Sequence, residues 1–96
     1  MGLEVEYTLT YHPTVREKDI RRLDKSVALR IRKAIETKLL VAPEKHGDPL
    51  RRTLKGYWKL RVGDYRIVFR IKGKEIFILG ILHRREIYGI VEKDRT

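Results

Sequence analysis

From Tyr57 to Ile71 the chain counts in twos on either side of a Gly63-Asp64 pair, a pattern that suits a tight antiparallel hairpin. Trp58, Leu60 and Val62 alternate with Tyr57, Lys59 and Arg61; beyond the turn, Tyr65, Ile67, Phe69 and Ile71 alternate with Arg66, Val68 and Arg70. A two-residue loop sets Val62 opposite Tyr65 and therefore Arg61 opposite Arg66. Like charges directly opposite each other destabilise a sheet. A chain selected only for folding avoids that arrangement, so this face reads as a surface built to hold polyanionic phosphate. The plain alternative is a solvated outer sheet face, but the charges stack across the hairpin instead of dispersing.

The remaining elements follow from their periods. Residues 3–10 alternate Leu3, Val5, Tyr7 and Leu9 against Glu4, Glu6, Thr8 and Thr10, which predicts a half-buried strand. Pro13-Thr14 follows, and Thr14-x-x-Glu17 has the form of a capping box opening a helix over about 15–24, with Val15, Ile20 and Leu23 inward. Ser26 is placed to cap a second helix over about 27–40, where Val27, Ile31, Ala34, Ile35 and Leu39 recur at helical spacing. The short gap between the two predicts an antiparallel helical hairpin. Residues 41–56, with two prolines and two glycines, read as a surface loop. A turn at Lys72-Gly73 sets Arg70 opposite Glu75, and Ile76–Leu82, apolar on both faces, belongs in the middle of the sheet. The expected architecture is α+β: one small domain over 1–96 with an N-terminal strand, a helical hairpin and a three-strand antiparallel meander completing a sheet of about four strands.

Charge narrows the partner. The chain has 96 residues, 23 Lys+Arg against 13 Asp+Glu, and a formal net charge of +10. Residues 57–74 carry Lys59, Arg61, Arg66, Arg70, Lys72 and Lys74 against Asp64 alone. Such a patch suits nucleic acid, or an acidic protein that covers the same surface. Asn and Gln, which read adenine bidentately, are absent, which favours phosphate-driven binding over base reading. Their absence, with abundant charge, also suggests a thermophilic source. Nothing resembles a signal peptide or a membrane span, so a cytoplasmic protein without membrane contact is expected.

Several chemistries drop out. There is no cysteine, and Ser26 is the only serine. His12, His46 and His83 lack metal-ligand spacing, and no glycine-rich phosphate loop is present, so neither a metal nor a small-molecule cofactor is expected. Cations with a tyrosine and a histidine remain. Such a set cleaves RNA when the ribose 2′-hydroxyl attacks the adjacent phosphate, given a base, positive charge for the transition state and an acid for the leaving oxygen. DNA lacks that nucleophile. A lysine serves as base when neighbouring arginines lower its pKa, and arginine clamps the transition state.

At Leu54-Lys55-Gly56, Tyr57-x-Lys59-x-Arg61-x-Gly63-x-Tyr65-Arg66 and His83-Arg84-x-x-x-Tyr88 the chain resembles the RelE/ParE superfamily of toxins, over nearly its whole length. The resemblance implies a ribosome-dependent messenger-RNA endonuclease, a hydrolase held inactive by a small acidic RelB-like antitoxin. By carry-over, Lys59 is the leading general base, Arg61 and Arg66 bind the scissile phosphate, Arg84 stabilises the leaving oxygen or serves as its acid, and Tyr88 orients or stacks the nucleotide or rivals Lys59 as base. Arg61 stands where the best-known members carry a second lysine. It keeps the charge but does not titrate.

Around that set, Arg51, Arg52, Lys55, Arg70, His83 and Arg85 are candidate RNA contacts. For His83 the competing reading is an imidazole packed after an apolar strand; for Tyr88, a packing residue; for Arg70, neutralisation by Glu75. Arg30, Arg32 and Lys33 read as a solvated helix face, with ribosomal RNA contact as the lesser alternative. A gyrase-poisoning toxin of the ParE type and a catalytically inactive binding module of the same fold are the competing functions.

Overall fold

Five strands form one sheet: β1 (Thr8–Tyr11), β2 (Asp48–Pro49), β3 (Trp58–Val62), β4 (Tyr65–Lys72) and β5 (Glu75–His83), in the spatial order β1-β5-β4-β3-β2. This is a computed structural model that describes residues 7–95, with side chains described through residue 91. The first half of the strand expected over 3–10 lies outside the described residues. β1 runs parallel to β5, and the other pairings are antiparallel.

The hairpin closes in the expected register, with Val62 facing Tyr65 and Arg61 facing Arg66. Gly63 has φ +61, the left-handed conformation that a tight hairpin demands at its first turn residue. The next turn differs. Gly73 and Lys74 form it, with Gly73 at φ +60, so Lys72 faces Glu75 and Arg70 faces Phe77. The predicted Arg70–Glu75 pair does not form. Glu75 instead accepts a hydrogen bond from Thr10 Oγ1 at 3.0 Å.

The β5 strand is apolar on both faces because each face meets its own core. On one side, Val15, Ile31, Ile35 and Leu39 pack against Leu60, Ile67, Phe69, Ile76, Ile78 and Ile81. On the other, Leu50, Leu54, Ile87 and Val91 pack against Val68, Leu79 and Leu82. Alternation lets one strand serve both, and a bulge shifts its phase: Val68 faces Gly80 and Phe69 faces Ile78, so Leu79 is the inserted residue. Each fully buried Leu, Ile or Phe contributes about 1.5–3 kcal/mol to folding.

The first helical segment joins a wide turn at Val15–Asp19 to a tight turn at Ile20–Arg22. Thr14 does not cap it. Thr14 already has helical dihedrals and makes no side-chain cap bond; its main-chain N–H donates to His12 Nδ1 at 3.2 Å. Pro13, suited to a first helical position, moves the start of the helix upstream. Val15 is buried as expected, while Ile20 is 39% exposed. The second helix spans Lys25–Ala34 and continues as Ile35–Leu39. Its N-cap is Asp24, in extended conformation, and Ser26 falls within the first turn.

The segment over 41–56 is more than a loop. It forms a helical turn at Pro43–His46, the short strand β2 and a tight turn at Arg52–Leu54. Leu50 and Leu54 bury into the second core, which anchors it. Pro49 is tolerated because β2 lies at the sheet edge. A helix over Ile87–Arg95, not expected from the sequence, follows β5 and covers the same core. Among the described residues no helix is long and apolar enough to cross a membrane.

Candidate active site

Arg66 is the centre of the charged face. It lies directly opposite Arg61, and its Nη1 donates to the carbonyls of Tyr65 at 2.9 Å and Gly63 at 3.0 Å. These bonds hold its guanidinium against the hairpin turn. Burial pushes the Arg66 pKa below its ordinary value, and the positive charges of Arg61 and then Arg84 push it the same way; Asp64 acts in the opposite sense. Three arginines from three segments therefore share one electrostatic neighbourhood.

Arg84 arrives there through the backbone. Its N–H donates to the Asp64 carbonyl at 2.9 Å, tying the chain that leaves β5 to the hairpin turn. The turn after β5 is itself braced. Glu86 N–H donates to the His83 carbonyl at 2.8 Å, His83 N–H donates to Glu86 Oε1 at 3.3 Å, and Arg85 N–H donates to His83 Nδ1 at 3.3 Å. Arg22 reaches the same Glu86 oxygen at 3.5 Å.

Lys59 is half-buried on β3, two residues before Arg61 on the same face and diagonal to Arg66. Diagonal positions across an antiparallel pair lie about 7–8 Å apart, within reach of long side chains. Counting along the hairpin does not reveal Asp48, which faces Lys59 from β2 and gives it an acidic neighbour. Tyr88 is 41% exposed on the C-terminal helix, where its hydroxyl accepts the Arg51 N–H at 3.5 Å. It therefore stands at the junction of that helix with the 51–55 segment.

The outer candidates separate into groups. Arg51, Arg52 and Lys55 are exposed on the segment that precedes β3, with Arg51 next to Tyr88. Arg70 lies four residues along β4 from Arg66, about 13 Å at strand spacing. Its guanidinium sits over the rings of Phe77 at 5.6 Å and Tyr57 at 5.9 Å. His83 packs edge-on to Tyr65 at 5.8 Å. With Arg85, it lines a cavity of about 430 Å³ shared with Asp19, Arg22 and Glu86. These contacts set Arg70 apart from the arginine cluster and turn His83 toward Tyr65. Arg30, expected on a solvated helix face, instead reaches the hairpin turn: its Nη2 lies 3.0 Å from where a Cβ on Gly63 would stand. Only the tertiary docking of the helix against the turn reveals it. Among the described residues, no three His, Cys, Asp or Glu side chains gather as a metal site.

The surface can bind a phosphodiester: it offers fixed guanidinium donors and a concentration of positive charge that an anion relieves. Residues 9–88 match the family model of the ParE toxin of type II toxin–antitoxin system, parDE. The toxin RelG of Mycobacterium tuberculosis is 32% identical over 84 residues, 85% of this chain and 95% of the relative. Among solved structures, the RelBE2 toxin–antitoxin complex of M. tuberculosis is similar with a TM-score of 0.76 and 32% identity, over 83% of this chain and 100% of that one. A free-state arginine-to-alanine double mutant of Escherichia coli toxin RelE shares the fold, with a TM-score of 0.70 and 20% identity over 92% of this chain and 96% of that one.

Proposed function

The chain belongs to the ParE toxin family, within the RelE/ParE superfamily of type II toxin–antitoxin systems, and from that premise we propose that it cleaves messenger RNA on the ribosome. The observation that carries this reading is the Arg61–Arg66–Arg84 cluster, kept together against like-charge repulsion. Folding alone gives no reason for it; a pentacoordinate phosphate with extra negative charge does.

The reaction is an internal transesterification. The ribose 2′-oxygen bonds to the adjacent phosphorus as the bond to the 5′-oxygen breaks, leaving a 2′,3′-cyclic phosphate and a free 5′-hydroxyl. Lys59 is the residue placed to take the 2′-hydroxyl proton. Arg61 and Arg66 hold the non-bridging oxygens, and Arg84 stabilises the leaving 5′-oxygen, which takes its proton from water to become the 5′-hydroxyl. Tyr88 orients the nucleotide and is the alternative base. The exposed cations Arg51, Arg52, Lys55 and Arg85 extend the contact to flanking phosphates, whereas Arg70 and His83 serve mainly in packing. The ribosome presents the message and supplies the positioning that an open surface lacks.

The partner in the cell is a RelB-like acidic antitoxin. A related solved structure is a toxin–antitoxin complex, and a formal net charge of +10 invites an acidic segment. The matched family model carries the ParE name, which keeps gyrase poisoning as the second reading. The test is incubation with translating ribosomes and, separately, with gyrase and DNA. Message cut by the wild type and spared by Lys59→Ala and Arg84→Ala supports the ribonuclease. Intact message with trapped gyrase–DNA supports the second reading.

A further inference from the structure

A second set of cations lies where the second helix meets the open edge of the sheet. β2 pairs only with Trp58 and Lys59, so among the described residues no strand covers Leu60–Val62. Beside that edge runs a groove of about 370 Å³, lined by Arg30, Lys33, Thr37 and Lys38 from the helix and by Arg61 and Gly63 from the hairpin. Its lining includes four cations and no carboxylate among the described residues. Arg30 spans the gap, with Nη2 3.0 Å from the Cβ position of Gly63.

The helix sorts its charges between two flanks. Glu36 pairs with Arg32 at 3.4 Å, and both line a different, largely apolar groove with Leu23, Ile31 and Leu40. On the Gly63 side, among the described residues, no acid lines the groove beside the cations. Solubility asks for charge but not for this segregation. Protection of a sheet edge asks for a lysine but not for a cavity. An acidic protein segment needs apolar anchors; here the apolar lining is limited to Ala34 and Val62, and the larger apolar groove lies on the other flank. Phosphate needs only what this groove offers.

We propose that the Arg30–Lys33–Lys38 groove binds the phosphate backbone of the RNA strand next to the scissile linkage, with Arg61 shared between the two positions. The strand then passes from the Arg66 face around the open edge of β3 and over Gly63 onto the helix. This deepens the ribonuclease reading and rests on it for the identity of the strand as RNA.

The test is binding of the free full-length chain to a short 2′-O-methyl oligoribonucleotide, which cannot be cleaved, across a salt series. The Arg30→Ala/Lys33→Ala/Lys38→Ala variant is compared with Arg32→Ala on the opposite flank. The slope of log affinity against log salt falls in magnitude by about 0.7 for each phosphate that the triple variant no longer neutralises, and Arg32→Ala keeps the wild-type slope. An unchanged slope in the triple variant overturns the proposal, as does loss of polyglutamate binding with RNA binding intact. If the triple variant fails to fold, the single exposed-residue changes Lys33→Ala and Lys38→Ala carry the same expectation one phosphate at a time. The readout needs no cleavage. An inactive wild type with a reduced triple-variant slope therefore counts against the catalytic reading and not against the groove.

Discussion

The main-chain N–H of Arg84 donates to the carbonyl of Asp64 at 2.9 Å, and this bond brings the segment after β5 to the turn between β3 and β4. Segments far apart in sequence thereby form one cationic face. The side chain that profits is Arg66, whose pKa is lowered by burial first and by Arg61 and Arg84 next.

Glu86 keeps Arg84 in place without touching the cluster. Its Oε1 accepts the His83 N–H at 3.3 Å and pairs with Arg22 at 3.5 Å. Glu86→Ala loosens the turn and lowers cleavage about tenfold, with a stability loss of about 0.5–1.5 kcal/mol from the missing hydrogen bond. Glu86→Gln keeps an acceptor and recovers most of the rate. Single-turnover cleavage and thermal unfolding of the two variants check this.

Arg61→Ala separates folding from function. Removing one of two facing like charges raises stability by about 0.2–1 kcal/mol. Cleavage falls about 100- to 1,000-fold if Arg61 holds the transition-state phosphate. Added salt screens the repulsion, so it stabilises the wild type more than the variant. Denaturant melts at two salt concentrations, set beside cleavage rates, test both halves.

The lowered Arg66 pKa fixes a sign for pH. The unfolded chain holds this proton more tightly than the folded one, so stability rises with pH only as pH climbs through the folded pKa toward the unfolded value. That window is strongly alkaline. From about pH 6 to 9 the group adds no slope, and the uncharged variant Arg66→Met and wild type give parallel stability profiles. Chemical denaturation across that range is the measurement; a divergence contradicts the assignment.

Two glycines are required for different reasons. Gly63→Ala meets φ +61 and the Arg30 guanidinium, and costs about 1–2 kcal/mol. Gly47→Ala places a Cβ 2.7 Å from Phe69 Cζ and 3.1 Å from the Pro43 carbonyl, and overpacking costs about 1–3 kcal/mol. Urea midpoints of both variants test the pair. Gly56→Ala, with φ +100 and open space around it, isolates backbone strain from crowding.

What is legible in the sequence is periodic. The Arg61–Arg66 register follows from counting in twos, and the interior position of β5 from apolar residues on both of its faces. The Gly73-Lys74 turn lies one residue beyond its expected place because either dipeptide closes a hairpin, and only the glycine's positive φ decides; Arg70 then faces Phe77 and not Glu75. The C-terminal helix has a signal in the spacing of Ile87, Ile90 and Val91, but His83-Arg84-Arg85 reads as a strand end. Leu50 and Leu54 hide among prolines and glycines. Arg84's approach to Arg66, Asp48's place opposite Lys59 and Arg30's reach to Gly63 depend on backbone contacts between distant segments, which no local pattern carries.

The central claim is that this cluster drives attack by a ribose hydroxyl. A message carrying one 2′-deoxyribose at the cleaved position, translated beside an all-ribose control, tests it most directly. The account predicts a 2′,3′-cyclic phosphate and a 5′-hydroxyl from the control and no cut at the deoxy linkage. Cleavage at the deoxy linkage, or a control left whole by saturating protein, contradicts it.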